Sequence, residues 1–301
     1  MAKQPHGVTV KDLYGGRFIK PELVKQSMSG LEDRLKTEFK ERVKHRDAMN
    51  DHMRKLRAPI TALIEKDAHA RSAVSGLRDL AAAASNAKKK HGTVHRPKAV
   101  ERVFLGSIGA TLAPPYDYQW TWNAVNGNPA TNSETADAGS GDMSLDIWTD
   151  FNNGSAISGR AAVGIYFYPP APNGSLQIWS TPNFNYDWGD WCAFDSASAD
   201  AWIGLYVGSY DLTGAFTGAV VDQQVSLWSD SSWWSGVGNQ QGSNSGYGLY
   251  APPIQVDQDH QYIIWVWTGG DVSAAGWGTF SGSGAGDDLN VGVPSITWEL
   301  G

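Results

Sequence analysis

Tryptophans set beside acids, serines and glycines are the side chains here whose types and spacing suit ligand chemistry. Trp188, Asp190 and Trp191 fall in Asp187-Trp188-Gly189-Asp190-Trp191. Trp233 and Trp234 lie between serines, and Trp277 between glycines. An indole face stacks on the apolar face of a pyranose while a nearby carboxylate or amide takes its hydroxyls. These six residues are the candidate glycan contacts, and the same rings would also suit the centre of a protein interface. Trp148, Trp202, Trp228, Trp265 and Trp298 stand in apolar runs instead and are expected to pack the core.

Carboxylates are the second resource. Asp257 and Asp259 form one close pair, Asp287 and Asp288 another. Clustered loop oxygens suit calcium, although neither pair has EF-hand spacing, and acidic loops also serve solubility alone. Calcium is the one cofactor the sequence suggests. Recognisable catalytic patterns are missing: no phosphate-binding Gly-Lys-Ser/Thr loop, no His-Glu-x-x-His, no Gly-x-Ser-x-Gly. Beyond residue 100 there is one histidine, His260, and three glutamates, Glu101, Glu134 and Glu299. A glycosidase could use two of the 17 aspartates there, but their spacing selects no pair. The lone Cys192 sits among Trp191, Ala193 and Phe194, a setting for an inert thiol. A non-enzymatic protein is therefore expected, with a polysaccharide hydrolase as a further alternative.

The elements that must position these residues divide the chain in two. Residues 1–100 hold 22 of the 24 Lys+Arg and 11 of the 31 Asp+Glu, a net of +11. Residues 101–301 hold 2 basic and 20 acidic side chains, a net of −18, and all 14 tryptophans. The division reads as an irregular arm over 1–20, a helical stalk or hairpin over 21–91, a linker over 92–115 and a β head over 116–301. Ser29, with Glu32 three residues on, has capping-box spacing. Met49, Met53, Leu56, Ile60 and Leu63 step by four and three, the spacing of a coiled-coil seam. Pro59 interrupts that stretch and implies a kink or a break. Within the head, Tyr116, Tyr118, Trp120 and Trp122 alternate with other residues, as do Met143, Leu145 and Ile147, at the period of a strand. About eight such runs, separated by Gly, Ser, Asn and Pro, predict an antiparallel β-sandwich, jelly-roll-like or immunoglobulin-like. Segments 126–142 and 229–253 read as long polar loops.

A coiled-coil-like helix joined to a β-sandwich resembles the stalk-and-head layout of attachment proteins. The functional expectation is an oligomeric structural or binding protein whose helices assemble it and whose head presents a glycan or cell-surface ligand. The alternative is a self-assembling filament or particle subunit, in which the basic helix of one copy lies on the acidic head of the next. Helical basic charge is thinly spread and no aromatics interleave with it, which argues against nucleic acid; the arm and Lys88–Lys90 are the places where it would bind. The first ten residues carry no apolar signal-peptide core and no run is long enough for a membrane span, so synthesis in the cytoplasm is expected, with release or incorporation into a particle by another route.

Overall fold

The computed structural model describes residues 19, 21–85, 108–149, 154–275 and 282–301. The arm apart from Ile19, Lys88–Lys90, most of the expected linker and Trp277 lie outside the described residues.

Helix α1 is Pro21–Lys66 and α2 is Ala68–Ser85. Helix α1 begins eight residues before the expected Ser29 cap, with Pro21 in its first turn, where a missing N–H costs nothing. It runs on through Pro59, which is exposed, so the Lys55 carbonyl that loses its helical donor can take water. The break comes at Asp67, whose Oδ1 accepts from the His69 and Ala70 amides and caps α2.

The head is an antiparallel sandwich, as expected, with twelve strands among the described residues rather than eight. The larger sheet contains β2 (Tyr118–Asn126), β3 (Pro129–Asp137), β4 (Asp142–Thr149), β5 (Ser155–Phe167), β7 (Asn183–Asp211), β8 (Phe216–Asn244), β10 (His260–Ala274) and β11 (Gly282–Gly292). Strand β7 joins its two halves. Residues 197–211 pair with β10, residues 183–193 with β11, and β8 follows the other edge of β7. Both segments expected as loops are largely strand: 126–142 contains β3, and 229–253 holds the second half of β8 and the start of β9. The smaller sheet has the order β1 (Ile108–Leu112), β12 (Ile296–Leu300), β6 (Asn173–Ser180), β9 (Leu249–Asp257). Thus Ile108–Leu112, read as linker, is an edge strand.

Alternation places one set of side chains between the sheets. Leu145, Ile147, Val163, Ile165, Ile203, Leu205, Ile264 and Leu289 meet Leu176, Ile178, Leu249, Ile296 and Trp298 there. The other face of the large sheet is covered by α1. Ile19, Val24 and Met28 pack on Tyr118, Tyr206, Tyr210 and Trp265, and the Tyr118 hydroxyl donates to the Ile19 carbonyl at 2.8 Å. Further along, Arg34 pairs with Asp222 at 2.8 Å, Arg42 with Asp271, and Arg46 donates to Asn126 at 3.1 Å. The basic helix therefore lies on the acidic head of its own chain.

The coiled-coil-like stripe faces elsewhere. Leu56 and Leu63 are 62% and 67% exposed, and Met49 and Ile60 are exposed too. Residues one step round the helix, Asn50 and Arg57, face the head instead. The seam is thus a solvent-facing flank of α1, and coiled-coil packing is not seen among the described residues of the chain.

Candidate functional site

The groove between α1 and the outer face of the large sheet gathers most of the exposed chemistry. Strand register builds its floor in rows. One row across β2, β5, β10, β7 and β8 reads Trp120, Ala162, Trp267, Gly204, Gln224. The next reads Trp122, Arg160, Gly269, Trp202, Ser226. The third reads Ala124, Ser158, Asp271, Asp200, Ser229.

Glycines let the large side chains lie flat. A Cβ on Gly204 would collide with the Trp267 ring, and one on Gly269 with the Arg160 side chain. Arg160 lies 5.1 Å over the Trp202 ring, a cation–π contact. Its guanidinium donates to the Gly159 and Gly270 carbonyls at 2.7 and 3.0 Å and to Asp271 at 3.1 Å. The charge is buried, and these acceptors compensate its lost hydration.

Two adjoining cavities follow α1. The first, about 380 Å³, is lined by Trp120, Trp202, Trp265 and Trp267 on the floor and Arg34 and Glu38 on the helix. The second, about 660 Å³, takes in Asp200, Asp271, Ser198, Ser273 and Trp233 with His45 and Met49 on the helix. Trp202 and Arg42 line both, so the groove is continuous. Trp120, Trp202 and Trp267 are half-buried, whereas Trp265 is buried, its indole N–H lacking a hydrogen-bond partner among the described residues. A buried unsatisfied donor costs about 1–3 kcal/mol, and this one belongs to a ring that lines a cavity.

Ionisation differs along the floor. Burial pushes the Asp200 carboxyl up, Asp271 opposite adds to that, and the Ser229 hydroxyl pulls the other way. Asp271 receives Ser158 and contacts two guanidiniums, Arg42 and Arg160.

Most of the residues singled out from sequence lie elsewhere. Trp188 is in the core, stacked on Trp228 at 6.3 Å, and Trp191 is 1% exposed. The Asp190 carboxyl is pushed up to about 6, chiefly by burial, with Asp230 adding to it. All three side chains are buried. Their glycine- and acid-rich surroundings suggest a loop but form the first half of β7. Trp233, 47% exposed, does reach the groove, and Trp234 lies in β8, its side chain outside the described residues. Asp287 and Asp288, adjacent on β11, project to opposite faces and cannot share an ion. Asp287 is wholly buried and accepts from the Trp228 indole at 3.1 Å. Asp257 is occupied in its own turn, accepting from the Asp259 amide at 3.0 Å and meeting His260 at 2.7 Å. Among the described residues no three His, Cys, Asp or Glu side chains gather to hold a metal, and no helix is long and apolar enough to cross a membrane.

Sequence reasoning missed Trp120, Trp122, Trp202, Trp267, Arg160, Asp200 and Asp271 as site residues. A signal was present for some. Tyr118, Trp120 and Trp122 at period two share one face, and Ile263 to Trp267 is apolar at every position, as in a strand covered on both faces.

No protein-family model matches the chain, and neither does any of the curated proteins searched. Among solved structures, TmCBM61 in complex with β-1,4-galactotriose is 12% identical over 58% of this chain and 88% of that chain, with a TM-score of 0.15. The family 11 carbohydrate-binding module from Clostridium thermocellum, in complex with a β-1,3-1,4-mixed-linked tetrasaccharide, is 12% identical over 61% of this chain and 95% of that one, with a TM-score of 0.16. The enzymatically active domain of bacteriophage CBA120 tailspike protein 4 is 10% identical over 62% of this chain and 19% of that chain, with a TM-score of 0.10. At these TM-scores the likenesses carry no argument, so the functional reading rests on the groove.

Proposed function

We propose that this protein binds a glycan in the groove between α1 and the large sheet. The observation that carries the reading is the floor: three half-buried indoles, Trp120, Trp202 and Trp267, in adjacent rows with Arg160, Asp200, Asp271 and Gln224. Ring faces suit the C–H face of a sugar, and the mixed donors and acceptors suit its hydroxyls. Both cavities fall within the size range of ligand sites, ~300–1,000 Å³.

Calorimetric titration of the full chain with a panel of soluble polysaccharides tests this. Trp202→Ala and Trp267→Ala should each weaken binding at least tenfold, about 1.4 kcal/mol. Tyr250→Ala, on the small sheet, should leave it unchanged. Wild-type affinity in both tryptophan variants would remove the groove from consideration.

The exposed stripe on α1 completes the proposal: copies self-associate through Leu56, Ile60 and Leu63, raising weak affinity by avidity. A Leu56→Gln/Leu63→Gln variant should keep its stability within about 0.5 kcal/mol per site, since surface changes cost little. Light scattering should show the wild type as an oligomer and this variant as a monomer. A monomeric wild type would reject the assembly part and leave the binding part standing.

A further inference from the structure

The geometry points to hydrolysis as a further activity of this groove, with Asp200 and Asp271 as the carboxyl pair of a retaining glycosidase. The inference rests on the glycan reading above.

The two residues are 71 positions apart in sequence, yet occupy directly opposite positions on β7 and β10. Both line the second cavity. Directly opposite positions hold Cβ atoms about 4.5–5.5 Å apart, which sets the two carboxyls side by side on one face, the close arrangement that retaining chemistry uses, at about 5–5.5 Å. Inverting chemistry needs a wider gap for water, about 6.5–9.5 Å. Aromatic rings flank the pair along the groove, with Trp202 and Trp267 towards one end and Trp233 towards the other. A chain held by those rings would pass over the carboxyls. The adjoining cavity is also lined by Trp265, whose buried indole N–H lacks a hydrogen-bond partner among the described residues.

The surroundings of the pair divide the roles. Asp200, raised by burial and by its neighbour, is the proton donor. Asp271, contacted by Arg42, Arg160 and Ser158, is the nucleophile. In the first step an Asp271 oxygen bonds to the anomeric carbon, the glycosidic C–O bond breaks, and the Asp200 proton passes to the leaving oxygen. In the second, Asp200 takes a proton from water, whose oxygen displaces Asp271 from the same carbon. One water is consumed and both carboxyls return to their starting states. Arg42 and Arg160 are positioning residues.

The test incubates the full-length protein with the polysaccharide panel between pH 4 and 8 and measures new reducing ends, the anomer first formed, and affinity. The expected result is cleavage with retention. Asp200→Asn and Asp271→Asn should each slow it at least ~100-fold. A 2-deoxy-2-fluoro glycoside with a good leaving group should add one sugar mass to Asp271 of the wild type, a readout that needs no variant to fold. Binding without cleavage at any pH overturns the hydrolytic inference and leaves the binding proposal intact; neither binding nor cleavage overturns both. Cleavage with inversion, or a label on another residue, overturns the assigned roles.

Discussion

Replacing Arg57 with alanine should destabilise the protein by about 3–5 kcal/mol at pH 8, the usual cost of removing one partner of a buried ion pair. Arg57 comes from α1 and Asp195 from β7, and their side chains are 5% and 1% exposed. The guanidinium donates to the Asp195 carbonyl at 3.2 Å and lies 3.8 Å from its carboxylate. Asp195 also takes the Ser283 hydroxyl at 3.2 Å and the Ser196 amide at 2.9 Å. Burial acts against both charges: it lowers Arg57 and pushes Asp195 up to about 6, more strongly than their attraction opposes. The pair is therefore a device for docking α1 rather than a source of net stability. Removing Arg57 strands a carboxylate that has one escape, protonation. Urea unfolding at pH 8 and pH 5 should therefore show a smaller loss in acid. A loss below about 1 kcal/mol at pH 8 would mean that water reaches Asp195 and that the helix is held mainly by Ile19, Val24 and Met28.

That docking explains why the sequence is legible only in parts. The division by charge is real, and its two sides turn out to be complementary surfaces of one chain. Alternation finds the strands whose inward positions are Ile, Leu and Val, such as β4 and β10. It fails for the second half of β8, Ser-Ser-Trp-Trp-Ser-Gly-Val-Gly-Asn, because an edge strand can use small polar residues and still satisfy its ladder through β7. Sorting the tryptophans by the flexibility of their neighbours succeeds for Trp148, Trp228, Trp265 and Trp298, which are buried, and for the exposed Trp233, and fails for Trp188, Trp191 and Trp202. Glycine beside Trp188 and Trp191 does not mark a loop, and glycines such as Gly204 make room for a ring on the neighbouring strand. No local pattern selects Asp200 and Asp271. Their pairing is a fact of register between distant strands, and register depends on the whole sheet. The stripe from Met49 to Leu63 is a genuine helix pattern, but period alone does not say whether a face meets its own chain, another copy or water.

A second large effect concerns acid: the fold should be more stable at pH 5 than at pH 7.5. Asp190 and Asp195 are each pushed up to about 6 by burial, and Asp287, fully enclosed beside Trp228, is pushed up well beyond the usual range. In the unfolded chain these carboxyls lose their protons near a pH of about 3.9. Between that value and about 6 the folded state therefore binds more protons than the unfolded state. Stability must then fall as pH rises through this window. A carboxyl that keeps its proton to a pH about two higher in the folded chain than in the unfolded one is worth roughly 3 kcal/mol across the window. Below the window the direction reverses. The exposed Asp51 and Asp211 have lowered values, held by Lys55 and by Thr213 respectively, and their contribution is lost as they protonate. Urea midpoints measured from about pH 3.5 to 8 should thus peak near pH 4–5. Asp190→Asn should flatten the descending limb, because an amide of the same shape has no charge to bury. A midpoint that is level or rising from pH 5 to 7.5 would show these carboxyls ionised throughout, with water reaching them.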